Sequence, residues 1–319
     1  MCERAQPAAP AGDVTVVLLL GANGFLGRSI RGEIDATPGL DLVPWAGPHA
    51  GNARAPGQYG MDLASVPVPE LARAIEASGP EVIVNAAGRT TGSTGGLVEA
   101  DLLVVANLLE AVGRLPFRPR LLQLGSAAEY GRATGNRRAR ETDRAEPVGP
   151  YGILKLAATD LVLAARRKGT VQGTVLRVFN PLGPGLPPGS LGRAALDALG
   201  AAVQDGSGSI RLGPLGAVRD FVDTRDVARA VVAACLAPAL EAPIVNVATG
   251  RGHTARELVA ELASRLGYRG RIEEDGPGSP RSESVPWLVA DISVARRLLG
   301  WAPLHDLAAA CDHLISGSS

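Results

Sequence analysis

Lysine is almost missing from this chain: of 32 basic residues only Lys155 and Lys168 are lysines, leaving 30 arginines. Cysteine and histidine are nearly as scarce. Cys2, Cys235 and Cys311 are odd in number and far apart, which argues against a disulfide framework. With the scattered His49, His253, His305 and His313 they offer no metal-ligand spacing, and no metal site is assigned. Neither sign of charge is in excess, because 32 basic residues balance 32 acidic ones. The electrostatic footprint of a nucleic-acid binder is therefore lacking. No apolar run approaches the roughly 20 residues of a membrane span. Residues 1–13 lack the apolar stretch of a signal peptide and read as a disordered tail. A soluble cytoplasmic protein, with neither nucleic acid nor membrane as a partner, is expected.

What the chain has is glycine, 40 residues of it, and short runs of valine and leucine. The first run, Val14 to Leu20, suits a parallel strand buried on both faces. It stops in Gly21-Ala22-Asn23-Gly24-Phe25-Leu26-Gly27, followed by Arg28. The three glycines fall where a dinucleotide-binding turn needs missing side chains: for a tight turn, for close approach of phosphate, and for packing of helix on strand. A helix over 25–36 would aim its N-terminal amides at a pyrophosphate. A plain strand-to-helix turn is the other reading of such a triplet.

Strands at 14–20, 41–46, 59–63, 81–88, 121–126 and 174–179 alternate with helices at 25–36, 70–78, 98–114 and 151–168, the pattern of an α/β fold with a doubly wound parallel Rossmann sheet. Pro44 suits a sheet edge or a strand end. From Asn180 the composition turns to proline and glycine, and the lobe boundary is placed there. Residues 14–179 are expected to form the dinucleotide-binding domain and 180–319 a smaller C-terminal substrate-binding lobe, with 243–247 returning to the sheet and helices at 191–203, 224–236, 254–266, 292–299 and 304–315.

Tyr151-Gly152-Ile153-Leu154-Lys155 places a phenol and an ammonium on one helix face. A positive charge beside a phenol favours the phenolate and makes tyrosine a usable acid or base. Ser126 ends the fifth expected strand, at the sheet edge where ligands sit, and its hydroxyl can hold a substrate oxygen by the phenol. Chance often supplies a surface Tyr and Lys one turn apart. Yet this chain places one of its two lysines here, where a compact ammonium can face a phenol and a ribose hydroxyl together better than planar arginine can.

From Val14 to the last helix these segments resemble the extended short-chain dehydrogenase/reductase family of NAD-dependent epimerases and dehydratases. Gly21 to Gly27 is similar to its GxxGFxG turn, Asp62-Leu63 to its adenine contact, and Asn85-Ala86-Ala87-Gly88 to its turn beside the cofactor. Ser126, Tyr151 and Lys155 match its catalytic Ser and YxxxK. The resemblance implies cofactor contacts from Gly21, Asn23, Gly24, Phe25, Leu26, Gly27, Arg28, Asp62, Leu63, Ala86, Ala87, Gly88, Tyr151 and Lys155. Within the family the chain is most similar to reductases of GDP- or dTDP-linked 4-keto-6-deoxyhexoses. Ser126-Ala127-Ala128-Glu129-Tyr130-Gly131 resembles their Ser-x-x-Glu-Tyr-Gly, and Ala127 and Ala128 stand where dehydratases carry acids. By this similarity Ser126, Glu129, Asn180, Arg219 and Arg281 face a nucleotide-sugar substrate, the last three at its diphosphate, which suits arginine's fork.

Two positions depart from the pattern. Ala46 replaces the acid that holds the ribose 2'-hydroxyl in NAD-dependent relatives, and Asp101 replaces a common Asn. With Arg28 after the turn, Ala46 favours NADP(H), with NAD(H) as the other cofactor to consider. Arg137-Arg138-Ala139-Arg140 reads as a solvated loop rather than a phosphate contact. The helices 98–114 and 151–168 match those that pair across a two-fold axis in relatives, implying a homodimer. Three functions fit: reduction of a nucleotide-bound 4-keto sugar, nucleotide-sugar epimerisation with tightly bound NAD, or cofactor sensing without catalysis.

Overall fold

The computed structural model of the protein describes residues 14–47, 59–132, 137–276 and 285–317. The first half alternates strands and helices: β1 (Thr15–Leu20), α1 (Phe25–Asp35), β2 (Leu40–Ala46), β3 (Tyr59–Gly60), α2 (Val68–Ser78), β4 (Val82–Asn85), α3 (Thr94–Leu97), α4 (Val104–Val112), β5 (Arg120–Ser126), α5 (Pro150–Arg167) and β6 (Gln172–Val178). Shorter pieces follow: β7 (Pro181–Leu182), α6 (Leu191–Asp205), β8 (Ser209–Arg211), β9 (Val218–Arg219), β10 (Val222–Asp223), α7 (Thr224–Leu236), β11 (Ile244–Val247), β12 (His253–Thr254) and α8 (Ala255–Arg265). Beyond them lie helices Ser293–Leu299 and Leu307–Ser316.

Seven strands make one parallel sheet in the order β11-β6-β5-β4-β1-β2-β3. Val17 to Leu20 of central β1 are wholly buried, as covering on both faces requires. On one face α1, α7 and helix Ser293–Leu299 pack over Val17, Leu19, Val84 and Val245. On the other, α2, α4 and α5 cover Leu18, Leu20, Ile83 and Leu121. A separate apolar cluster joins α6, α8 and Leu307–Ser316 around Leu199, Leu258 and Leu314. So α7, β11 and Ser293–Leu299 belong to the sheet's layers, although they lie within 180–319.

The sheet matches the doubly wound reading. Pro44 sits opposite Leu19 of β1, but β3 pairs only with Trp45 and Ala46. Among the described residues no strand pairs with β2 on its outer side at the proline, where a missing N–H is tolerated. The third strand is shorter than 59–63. The helix expected over 98–114 is the main difference: residues Val98–Leu103 form a π-helical segment between α3 and α4. The pattern Leu-Val-x-x-x-Leu-Leu-Val-Val satisfies an apolar face in either geometry, so periodicity does not reveal the wider turn.

Arginine, so much commoner than lysine here, is used as a structural clamp. Arg120 donates to the carbonyls of Ala234, Cys235 and Ala237 at the end of α7 (3.1, 2.5 and 2.6 Å). Those carbonyls have no partner within the helix, and burial lowers the Arg120 pKa from its ordinary value. Arg166 likewise donates to Gly173, Leu240 and Glu241 carbonyls, fastening α5 to the chain entering β11.

Candidate active site

The glycine turn and the β4 turn meet at the carboxyl edge of the sheet. Gly21 has φ of +76°, and a Cβ there would lie 2.7 Å from the Ala87 nitrogen and 2.9 Å from the Ala86 carbonyl oxygen. Gly27 is buried, and a Cβ on it would collide with the Gly21 carbonyl. Helix α1 begins after Gly24 with no side-chain cap and no acid in its first turn. Its leading N–H groups are therefore left for an external anion, which fits the diphosphate of a dinucleotide. Beneath the β4 turn, buried Asn85 donates to Gln123 (2.8 Å) and accepts from the Ala87 N–H (3.1 Å), shaping Ala86-Ala87-Gly88. Asp62 closes its own turn through the Ala64 N–H and the Ser65 hydroxyl (3.1 and 2.8 Å). Leu63 is half-buried, and Asn107 of α4 fixes this loop by donating to the Leu63 and Ala64 carbonyls (both 3.0 Å). Exposed Arg28 donates to the Asn23 carbonyl (2.9 Å) and lies against Gly185.

Ser126 ends β5 and caps the short turn Ala127–Glu129, its Oγ accepting from the Ala128 N–H (3.2 Å). Tyr151 stands half-buried in the first turn of α5, and Lys155 lies one turn further in, buried. Gly152 explains how the two elements meet: a Cβ there would lie 2.5 Å from the Ala128 carbonyl oxygen, so only glycine lets α5 rest on the turn that carries Ser126. Lys155 Nζ donates to the Leu124 carbonyl (3.2 Å) and sits 3.1 Å from Asp101 Oδ1. Burial works against its charge, but Tyr151, Asp101 and Glu129 outweigh that, and the Lys155 pKa is raised above the ordinary lysine value.

Of the residues expected at the substrate, Glu129 needs correction. Its carboxylate is wholly buried behind the strand end, accepting from the Ser126 N–H (2.8 Å), the Thr159 hydroxyl (2.9 Å) and Arg177 Nε (2.7 Å). With both oxygens engaged it shapes the site from behind. Arg177 also lies over the Tyr130 ring, 4.5 Å from its centre, and the Tyr130 hydroxyl donates to Asn246 of β11 (2.7 Å). Asn180 donates to the Asp220 carbonyl (3.0 Å). Arg219 is half-buried, and among the described residues its guanidinium meets no carboxylate and donates to the Val218 carbonyl. Burial lowers its pKa from the ordinary arginine value. A desolvated guanidinium that meets no carboxylate among the described residues is suited to a phosphate. Arg281 lies outside the described residues. The Arg137 to Arg140 loop is tied down by Arg137–Asp143 and Arg140–Asp291 pairs and by Ala139, which bridges Ala290.

Residues 17–248 match the model of the NAD dependent epimerase/dehydratase family. The chain belongs to this family. Among relatives of this epimerase/dehydratase chain is dTDP-6-deoxy-L-talose 4-dehydrogenase (NAD(P)(+)) of Kitasatospora kifunensis, 38% identical over 95% of both chains. GDP-6-deoxy-D-mannose reductase of Pseudomonas aeruginosa is 29% identical over 84% of this chain and 85% of its own. A crystal structure of Thermus thermophilus UDP-glucose 4-epimerase with NAD superposes with a TM-score of 0.78 at 26% identity, covering 94% of this chain and 99% of that one.

Sequence reasoning missed the supports of this epimerase/dehydratase site. Gly152, Asn107, Thr159 and Arg177 carry no motif, and only the fold reveals what they touch. Gly152, inside the Tyr-to-Lys spacing, held the one available signal: glycine in the first turn of a helix otherwise rich in good helix formers.

Proposed function

We propose that the protein is an NAD(P)H-dependent oxidoreductase that reduces the 4-keto group of a nucleotide-activated 4-keto-6-deoxyhexose. The observation that carries this reading is the convergence of Ser126 at the end of β5 with Tyr151 and buried Lys155 on α5, beside the uncapped start of α1. The kinship with deoxysugar nucleotide dehydrogenases and reductases supplies the substrate class. A bound nicotinamide supplies the hydride. Ser126 hydrogen-bonds the carbonyl oxygen, Tyr151 protonates that oxygen as it becomes an alkoxide, and Lys155 holds a ribose hydroxyl while its charge favours the proton's departure from the phenol. Arg219 and Asn180 hold the diphosphate, with Arg281 as a further candidate.

Incubation with GDP- and dTDP-linked 4-keto-6-deoxysugars tests this directly: NADPH should be consumed stoichiometrically with sugar. Isomerisation without net consumption would identify an epimerase instead. Cofactor binding with no turnover on the whole panel would indicate a sensor.

NADP(H) is the proposed cofactor, on the ground that Ala46 offers no carboxylate against a 2'-phosphate and exposed Arg28 can swing from the Asn23 carbonyl to pair with one. NADPH should bind at least about tenfold more tightly than NADH, as one charge-assisted contact allows, and Arg28→Ala should erase the difference. Fluorescence titration of both cofactors checks it.

A homodimer is also proposed. Leu103, Ile153 and Leu161, on or beside the expected pairing helices, are 40%, 52% and 38% exposed, the side chains such a bundle would cover. Light scattering at micromolar concentration should give twice the mass of 32.7 kDa.

A further inference from the structure

Four guanidiniums that the proposed reaction does not use converge on one cavity. Arg138 comes from the loop before α5, Arg251 from the turn after β11, and Arg296 and Arg297 from helix Ser293–Leu299. All four are exposed, and among the described residues none of them meets a carboxylate. The cavity measures about 610 Å³, within the roughly 300–1,000 Å³ of small-molecule sites. None of Ser126, Tyr151, Lys155, Asn180 or Arg219 lines it. Asp291 is the one acid among the described residues that do, and it is engaged: it accepts from the Ser293 N–H (2.9 Å) and lies 3.5 Å from Arg140 Nε. Arg140 balances its charge, which leaves the four arginines in excess. The acids of the adjoining cleft are taken up as well, Glu257 by the Thr254 cap of α8, Glu261 by Arg265 and Asp306 by the Ala309 N–H.

The backbone that presents these arginines is held in place. Asp220, wholly buried, accepts from the Thr249 and Gly250 N–H groups (both 2.8 Å) and from the Ala290 N–H (3.3 Å), joining the turn before Arg251 to the chain before Asp291. Beside Arg138, Ala139 donates to the Val289 carbonyl and accepts from the Asp291 N–H (both 2.8 Å). Placement in the last turn of a helix accounts for Arg296 and Arg297 alone. Their meeting with Arg138 and Arg251, from two other segments, costs like-charge repulsion that a bound anion would relieve.

We infer that this cavity binds a chain of two or more phosphates, carried by a nucleotide or free as inorganic polyphosphate. Each planar guanidinium can grip two phosphate oxygens, and several forks suit a ligand with several phosphates better than one with a single group. Among the described residues no aromatic side chain lines the cavity, so the phosphates carry the binding. The inference does not depend on keto-sugar reduction.

Calorimetric titration of inorganic tripolyphosphate into the whole chain, already saturated with NADPH, tests it. One equivalent should bind, and more weakly as salt is added. Arg138→Ala combined with Arg297→Ala removes forks from two of the three segments and should weaken binding about a hundredfold, about tenfold for each lost charge-assisted contact. Both side chains are exposed, and unchanged NADPH affinity in the double variant shows that it is folded. Arg219→Ala should leave tripolyphosphate binding as in the wild type. Adenosine triphosphate, titrated in the same way, distinguishes the two sources: equal affinity supports a site that reads the phosphate chain alone, and tighter binding supports a nucleotide. No binding by the wild type, or binding undiminished in the Arg138–Arg297 double variant, would overturn the inference. Loss of binding in Arg219→Ala would overturn it too, by placing the phosphates at the proposed substrate position instead.

Discussion

Tyr151→Phe is expected to lower the single-turnover rate of keto-sugar reduction by about a hundred- to ten-thousandfold, the usual cost of losing a general acid, while NADPH still binds. The ring stays because its environment is set by α5, which Gly152 seats on the Ala128 carbonyl. Only the proton donor is removed. The effect should fall on kcat rather than KM, since the hydrogen bond to oxygen strengthens as the alkoxide forms. Stopped-flow oxidation of NADPH with enzyme in excess measures it. A rate near that of the wild type would assign the acid to another group.

Lys155→Met should do broader damage. The variant loses the ammonium, the proposed ribose contact and the donor to Leu124, and it strands the Asp101 carboxylate in a wholly buried position. Removing one member of a buried ion pair costs about 3–5 kcal/mol, which denaturant unfolding should register. Affinity for NADPH should drop by about ten- to a hundredfold, the worth of a hydrogen bond to a charged group. Removing the partner as well, in Lys155→Met with Asp101→Leu, should recover much of the stability and none of the activity. Stability unchanged in the single variant would mean that the pair is solvated and contributes little.

The parts of this molecule written in short, periodic or glycine-marked segments were legible without coordinates. The strand at Val14 to Leu20 with its glycine turn, the parallel sheet, Ser126 at a strand end and the Tyr151–Lys155 spacing all follow from local patterns. What stayed hidden depends on partners distant in the chain. Glu129 lies in a motif, but its direction is set by Arg177 on another strand, 48 residues later. The segment around Asp101 has a helix's apolar face, and that face does not distinguish 3.6 residues per turn from a wider coil. Helix α7 sits within the C-terminal half yet packs on α1, because Val227, Ala230 and Val231 match the sheet's layer rather than the second cluster.

The place of β11 has a consequence for how the protein is made. β6 is paired by β5 on one side and only by Ile244–Val247 on the other. A nascent chain that has emerged only as far as Val178 carries every motif of the cofactor turn and the Ser-Tyr-Lys set, but its last strand is an open edge with unpaired amides and carbonyls. Tyr130 meanwhile waits for Asn246, and Arg166 for the carbonyls of Leu240 and Glu241. A fragment ending near residue 180 should therefore aggregate. During synthesis the interval before β11 appears, some 65 residues and several seconds at ordinary translation rates, is when this chain most needs a chaperone.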